Sequence, residues 1–151
     1  MTHPKTNFTG GTIMVGEKVI HRVRMGSGDA HYAGDLVNGS RILDFFGDVG
    51  TELCVRKDGD ESLFRSYDNV EFLAPVYAGD FMEYHGWIEK AGNTSRYCQF
   101  EAYKYITLAR DPKLEISAAN VLTEKVLVGK ASGTLIVMKE HQRGVQDPKF
   151  N

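Results

Sequence analysis

One stretch of this chain carries a sustained helical period: Ile42, Phe46, Val49 and Leu53 recur at helical spacing, and Leu43 and Phe45 widen the stripe. A helix of about four turns with one buried face is therefore expected here. Asp44, Asp48 and Glu52 fall opposite the stripe, each four residues from the next. That spacing stacks three carboxylates along one line, where like charges repel by about 0.2–0.5 kcal/mol per pair. Only Arg41, three residues before Asp44, offers local relief. The line is either a solvated acidic face or part of a site. Gly47 and Gly50 sit inside the helix, each costing about 1 kcal/mol relative to Ala, so close packing is expected on that side. Asn38 suits the N-cap, leaving the bare N–H groups of Gly39 and Ser40 to face whatever the polar segment Asp29 to Asp35 encloses.

With one such helix, the remaining chain must be strand and turn. Glu17 to Met25 alternates apolar with polar or basic residues as a first strand. After the helix, Cys54 to Arg56 lead outward and Lys57-Asp58-Gly59-Asp60 is expected to turn. Ser62 to Phe72, Phe81 to Glu89 and Ser95 to Leu108 read as three long strands. Pro75 marks a corner between the first two, because it cannot donate to a central ladder. Arg110 to Thr123 reads as an irregular loop with a helical turn at Ser117 to Val121, and Lys125 to Lys139 as the last strand. Residues 1–16 read as a flexible lead-in, 17–140 as one domain, and 141–151 as a polar tail that needs a neighbour to be ordered.

At 151 residues the chain allows one domain with a real core. A formal charge of −2 gives no electrostatic case for binding nucleic acid or an anionic membrane. No run approaches the roughly 18 apolar residues of a membrane span, and the N-terminus lacks the apolar core of a secretory signal, which points to the cytoplasm. Cys54 and Cys98 lie far apart in apolar contexts and are expected as buried free thiols. The five histidines make no HExxH-type pair. No metal site is expected, since carboxylates alone would hold a hard cation weakly.

One strand, one long helix and then four or five antiparallel strands is an α+β order. A curved antiparallel sheet wrapped around one long central helix, the hotdog arrangement, follows from it. The segment DAHYAGDLVNG, residues 29–39, resembles the loop that precedes the central helix in hotdog acyl-CoA thioesterases. His31 stands where those enzymes have Asn, and Asn38 replaces the first glycine of a Gly-Gly pair. PVYAGD and GNTSR resemble a turn into a central strand and a strand start that lies beside coenzyme A. Taken with EFLAPVYAGDFMEYHGWIEKAGNTSR and ASGTLIV, these segments resemble the small hotdog ammonia-lyases acting on 3-aminoacyl-CoA thioesters, 3-aminobutyryl-CoA and β-alanyl-CoA among them. The likeness runs from about Val19 to Arg143 and departs in residues 110–123. It implies reversible loss of ammonia to an enoyl-CoA, crotonyl-CoA or acryloyl-CoA, in amino-acid fermentation such as that of lysine, and dimers that assemble further. Residues 117–122 incline toward the 3-aminobutyryl enzyme, and MEYHGWIEK toward the β-alanyl one.

Eliminating ammonia across the α,β bond of a thioester needs a base for the α proton, donors for the developing enolate oxygen, and a protonated leaving amine. No cofactor is expected, because coenzyme A is part of the substrate and its thioester acidifies the α carbon. Asp35 and Glu52 are the expected working pair, meeting across a dimer interface, with Asp48 as second choice; either could be the base. A base acting near neutral pH would need its pKa raised. An ammonium-bearing substrate also suits a pocket of unbalanced acids. Gly39 and Ser40 are the expected enolate donors. His31 either orients substrate or is a structural hydrogen-bonder, Tyr32 walls the acyl pocket or packs, and Asn38 caps the helix or touches substrate. Arg96 and Lys104 are candidates for the coenzyme A phosphates, or exposed strand charges. Tyr84 and Trp87 are expected in core or interface. The partners are thus an acyl-CoA thioester, ammonia and a second copy of the chain. The competing readings are a hotdog thioesterase, in which Asp35 activates water, and a non-catalytic acyl-CoA-binding module, which expects an attached DNA-binding unit for which this chain has neither length nor basic charge.

Overall fold

The structure, a computed structural model, describes residues 16–146. It opens with β1 (Val19–Arg24), followed by a small hairpin of β2 (Ala30–Tyr32) and β3 (Leu36–Val37) with 3-10 turns at Ser27–Asp29 and Ala33–Asp35. The helix α1 (Gly39–Asp58) comes next, then β4 (Leu63–Phe72), β5 (Phe81–Ala91), β6 (Ser95–Leu108), β7 (Ala119–Ile136) and a 3-10 turn at Lys139–His141. The large sheet has the order β1-β5-β6-β7-β4, antiparallel throughout, with β1 and β4 at its edges. It curves around α1, the α+β arrangement expected from the order of elements.

The stripe of α1 is what the sheet wraps. Ile42, Phe46, Val49 and Leu53 are buried against Met82, Tyr84 and Ile88 of β5 and Cys98, Phe100 and Ala102 of β6. Phe46 stacks on Phe100 at 5.2 Å and meets Tyr84 edge-on at 5.9 Å. Fully burying each such side chain stabilises by about 1.5–3 kcal/mol, so this layer dominates the fold. Gly86 lets the helix sit down on β5, because a Cβ there would lie 2.6 Å from Val49 Cγ1. Cys54 and Cys98 are buried free thiols, and burial raises the Cys54 pKa to about 11. On the opposite face of the sheet Glu83 is buried among Arg22, His85 and Lys125, at 2.8–2.9 Å. Burial alone would raise its pKa; these donors pull it down to about 2.

Two expectations need correction. The helix does not give way to a turn at Lys57: it runs 20 residues to Asp58, and Gly59 caps it at φ 70°, its N–H donating to Val55 O. A left-handed glycine serves a C-cap as readily as a hairpin, and the Asp-Gly pair alone does not distinguish them. Residues 117–121 form no helical turn. β7 begins at Ala119 because Val121, Asn120 and Ala119 pair with Ile106, Thr107 and Leu108 after a register shift, extending β6 and β7 into a two-stranded arm with Val121 exposed. Four strands follow the helix in the sheet.

The start of the polar tail has its neighbour in the end of α1. The N–H groups of Arg143 and Gln146 donate to Asp58 O and Arg56 O, and Val145 is buried. These bonds satisfy carbonyls that a helix C-terminus otherwise leaves open. The expected flexible lead-in, apart from Gly16, and residues 147–151 of the tail lie outside the described residues.

Candidate functional site

The start of α1 borders an apolar groove of about 400 Å³, lined by Tyr32, Val37, Gly39, Ile42, Phe72 and Val76 among others. Tyr32 thus stands on a groove wall, while His31 is exposed beside it, ring centroids 5.3 Å apart. Asn38 occupies the N-cap with extended backbone, yet its side chain caps no backbone N–H and donates instead to Ser40 Oγ. The expected capping bond is therefore absent: the side-chain amide turns its Nδ2 to the Ser40 hydroxyl, and its Oδ1 accepts from no helix N–H. Phe72, at the end of β4, went unrecognised in the sequence; its only signal there was an aromatic residue just before the Pro75 corner.

The acids do not share one cavity. Rows at i, i+4 on a helix precess by about 40° per step, so three such carboxylates fan out rather than stack. Asp44 is exposed and accepts from Arg41 Nη1 at 3.2 Å, while Arg41 Nε donates to Asp29 at 2.7 Å. Asp48 is exposed and takes no hydrogen bond or ion pair among the described residues. It lines a groove of about 410 Å³ between α1 and β4 with Gly47, Thr51, Arg65 and Tyr67. Glu52 turns to the other side. His21 Nε2 donates to its Oε1 at 2.7 Å and Arg56 Nε to its Oε2 at 2.9 Å. Burial would raise the pKa of Glu52, but these two donors hold it below the ordinary carboxylate value. Arg41 is thus not the only relief along the line. The raised pKa wanted for a base is not found at Glu52.

Asp35 lies in a different place. It is exposed, at φ 64°, a left-handed conformation uncommon outside glycine. Its carboxylate has no partner among the described residues, and its carbonyl accepts from Ala78 N at 2.9 Å. Two clefts meet at Asp35 and Leu108: one of about 390 Å³ bordered by Arg110, Leu114 and Ile116, the other of about 380 Å³ bordered by Arg24, Met25 and Gly79. Asp35 precedes α1 and Glu52 lies thirteen residues beyond its first residue, about 20 Å along the axis. The two cannot meet within one copy of the chain.

The two helical glycines also differ. A Cβ at Gly50 would come within 3.0 Å of Leu135 Cδ2, the close packing expected, whereas one at Gly47 would meet nothing within 4 Å. Gly47 opens onto the Asp48 groove instead.

Arg96 and Lys104 do not make a common phosphate site. They are eight residues apart on one strand, about 26 Å. Arg96 is 2% exposed, its Nε and Nη2 donating to both Asp58 oxygens at 2.8 and 2.9 Å and its Nη1 to the carbonyls of Gly92 and Ser95. Lys104 Nζ donates to Pro75 O at 2.8 Å and lies 3.9 Å from the buried Asp80. The Asp58 partner of Arg96 and the Pro75 and Asp80 partners of Lys104 come from segments far away in sequence. Arg96 does border a polar cavity of about 390 Å³ with Lys57, Asn93, Lys139 and Gln142. Among the described residues no group of three or more His, Cys, Asp or Glu is placed to hold a metal ion.

No helix among the described residues is long and apolar enough to cross a membrane. Residues 34–106 match the Thioesterase superfamily. Over 126 residues the chain is 51% identical to a 3-aminobutyryl-CoA ammonia lyase of Acetoanaerobium sticklandii, spanning 83% of this chain and 98% of that protein. The fold superimposes on the β-alanyl-CoA:ammonia lyase of Clostridium propionicum with a TM-score of 0.84 and 53% identity, covering 89% of this chain and 94% of the other. A hexameric hotdog fold thioesterase of Campylobacter jejuni, 19% identical, matches with a TM-score of 0.65 over 83% and 88% of the two chains, a likeness of fold alone. An identity above one half, sustained over nearly the full length of both ammonia lyases, leaves one conclusion: the chain belongs to the hotdog-fold family of 3-aminoacyl-CoA ammonia lyases.

Proposed function

We propose that the chain reversibly removes ammonia from a 3-aminoacyl-CoA thioester, with 3-aminobutyryl-CoA to crotonyl-CoA preferred and β-alanyl-CoA to acryloyl-CoA next. The observation that carries this reading is the 51% identity over 98% of the 3-aminobutyryl-CoA ammonia lyase. The geometry adds two carboxylates with no partner among the described residues, Asp35 and Asp48.

In the proposed reaction a carboxylate takes the α proton, the α,β double bond forms, and the C–N bond breaks with its electron pair leaving on nitrogen. The departing ammonia then takes up the proton as ammonium. Asp48 is the helix acid assigned the α proton, since Glu52 is already held as an anion by His21 and Arg56. Glu52 is assigned to positioning, through the imidazole of His21. Asp35 of one copy is assigned to the amine and works with the helix acids of another. The Gly39 and Ser40 amides serve the enolate oxygen. Tyr32 walls the acyl groove, with His31 beside it and Asn38 at its mouth. The nucleotide phosphates fit the polar cavity beside Lys57, Arg96 and Lys139 better than they fit Lys104. The thioester acidifies the α carbon by itself, so the scheme needs no cofactor. A cytoplasmic homodimer, alone or assembled further, completes the proposal. The β4 edge supports the association, with Leu63 left exposed on a strand that is paired only on its β7 side.

The test is to supply crotonyl-CoA with ammonium and follow enoyl absorbance and free thiol together. Loss of enoyl signal without thiol is expected; thiol release with the enoyl group intact would make the chain a thioesterase. Relative turnover of 3-aminobutyryl-CoA and β-alanyl-CoA decides the preferred acyl group.

A further inference from the structure

Phe72 is the last residue of β4, and its ring lies across the first residue of α1. A Cβ built on Gly39 would fall 2.5, 2.6 and 2.9 Å from three of its ring atoms, so the ring rests on bare backbone. In the sheet Phe72 pairs with Gly129, which also presents no side chain to it. Glycine at both neighbouring positions leaves room for an aromatic ring that Ala at Gly39 would displace. Yet Phe72 remains 52% exposed, and Leu73 and Tyr32 beside the same groove are also about half exposed. Core packing therefore does not account for the ring. The groove it borders is lined by no charged residue, and it begins at the amide-bearing residue that opens α1. A phosphate would find no counter-ion there, whereas the alkyl part of an enoyl thioester, which carries no amine, would lose only water.

We propose that Phe72 sets the acyl-chain length the enzyme accepts, its ring closing the groove beyond the β carbon of a thioester whose carbonyl lies at Gly39. This rests on the lyase reading above and adds to it the residue that limits the substrate. Shortening the side chain opens the groove to further methylenes, each worth a factor of about 10–200 in discrimination where a pocket fits closely.

The experiment compares kcat/KM for ammonia addition to 2-octenoyl-CoA and to crotonyl-CoA in the full chain, its Phe72→Ala variant and its Phe72→Leu variant. The ratio of two substrates on one preparation cancels any loss of folded enzyme, which a merely structural role would cause. Phe72→Ala is expected to raise the octenoyl-to-crotonyl ratio at least about tenfold, with Phe72→Leu between it and wild type. A ratio within twofold of wild type in both variants overturns the proposal. Should Phe72→Ala fail to fold, Phe72→Leu decides alone, by a ratio raised beyond twofold or not. If wild type releases thiol instead of consuming the enoyl group, the lyase reading fails by itself. The same chain-length ratio, measured as thiol release, then still decides the role of Phe72.

Discussion

His21 Nε2 donates to Glu52 Oε1 across 2.7 Å, joining the edge strand β1 to the outer side of α1, while Arg56 holds the other carboxylate oxygen. The folded-state pKa of Glu52 lies below its ordinary value despite the burial that opposes this. A group shifted down stabilises the fold above its unfolded pKa and loses that contribution as pH falls through the folded one. Wild type and Glu52→Gln are thus expected to differ in urea stability at pH 6 and to converge in acid, below the ordinary carboxylate range. Equal differences at both pH values would count against the ion pair. In turnover, Glu52→Gln and His21→Asn should each lose about 100-fold, the scale of disturbed acid–base help, because the carboxylate acts through the imidazole.

The carboxylates of Asp35 and Asp48, unlike that of Glu52, have no partner among the described residues, so neutralising either removes charge without freeing a paired cation. Asp35→Asn and Asp48→Asn should each cut kcat by at least about 100-fold with little change in thermal stability. Steady-state rates on crotonyl-CoA and ammonium, with melting curves alongside, check this. A near-normal rate in either variant removes that residue from the mechanism.

Asp58 and Arg96 form a buried bidentate pair between the end of α1 and the start of β6. Breaking such a pair from one side strands a charge, whereas replacing both sides by apolar groups can be neutral. Arg96→Met should cost about 3–5 kcal/mol in urea unfolding, and adding Asp58→Leu should recover most of it. If the double variant is no more stable than Arg96→Met, the loss comes from packing rather than charge.

Gly47 and Gly50 lie three residues apart on α1 with opposite surroundings. Gly47→Ala should stabilise by about 1 kcal/mol, the helix-propensity gain in open space. Gly50→Ala should show no gain, because its methyl presses on Leu135 at 3.0 Å. Chemical denaturation of the two variants separates them; equal effects would contradict the packing.

Periodicity determined the helix, its buried stripe and the alternating strands, because burial on one face imprints a period of 3.6 or 2 on the chain and needs no partner to be named. Long segments that resemble the ammonia-lyases likewise made the family legible in the sequence. Partnership was decided only in three dimensions. Glu52 is four residues from Asp48, yet β1 reaches the one and not the other, so two acids of the same local pattern differ in charge balance and availability. Arg96 read as a phosphate contact or an exposed strand charge, but the end of α1, lengthened by the Gly59 cap, brings Asp58 against it. Phe72 gained its place over Gly39 from the closing of the sheet. Each of these depends on contacts between residues more than thirty apart in the chain, which no local spacing encodes.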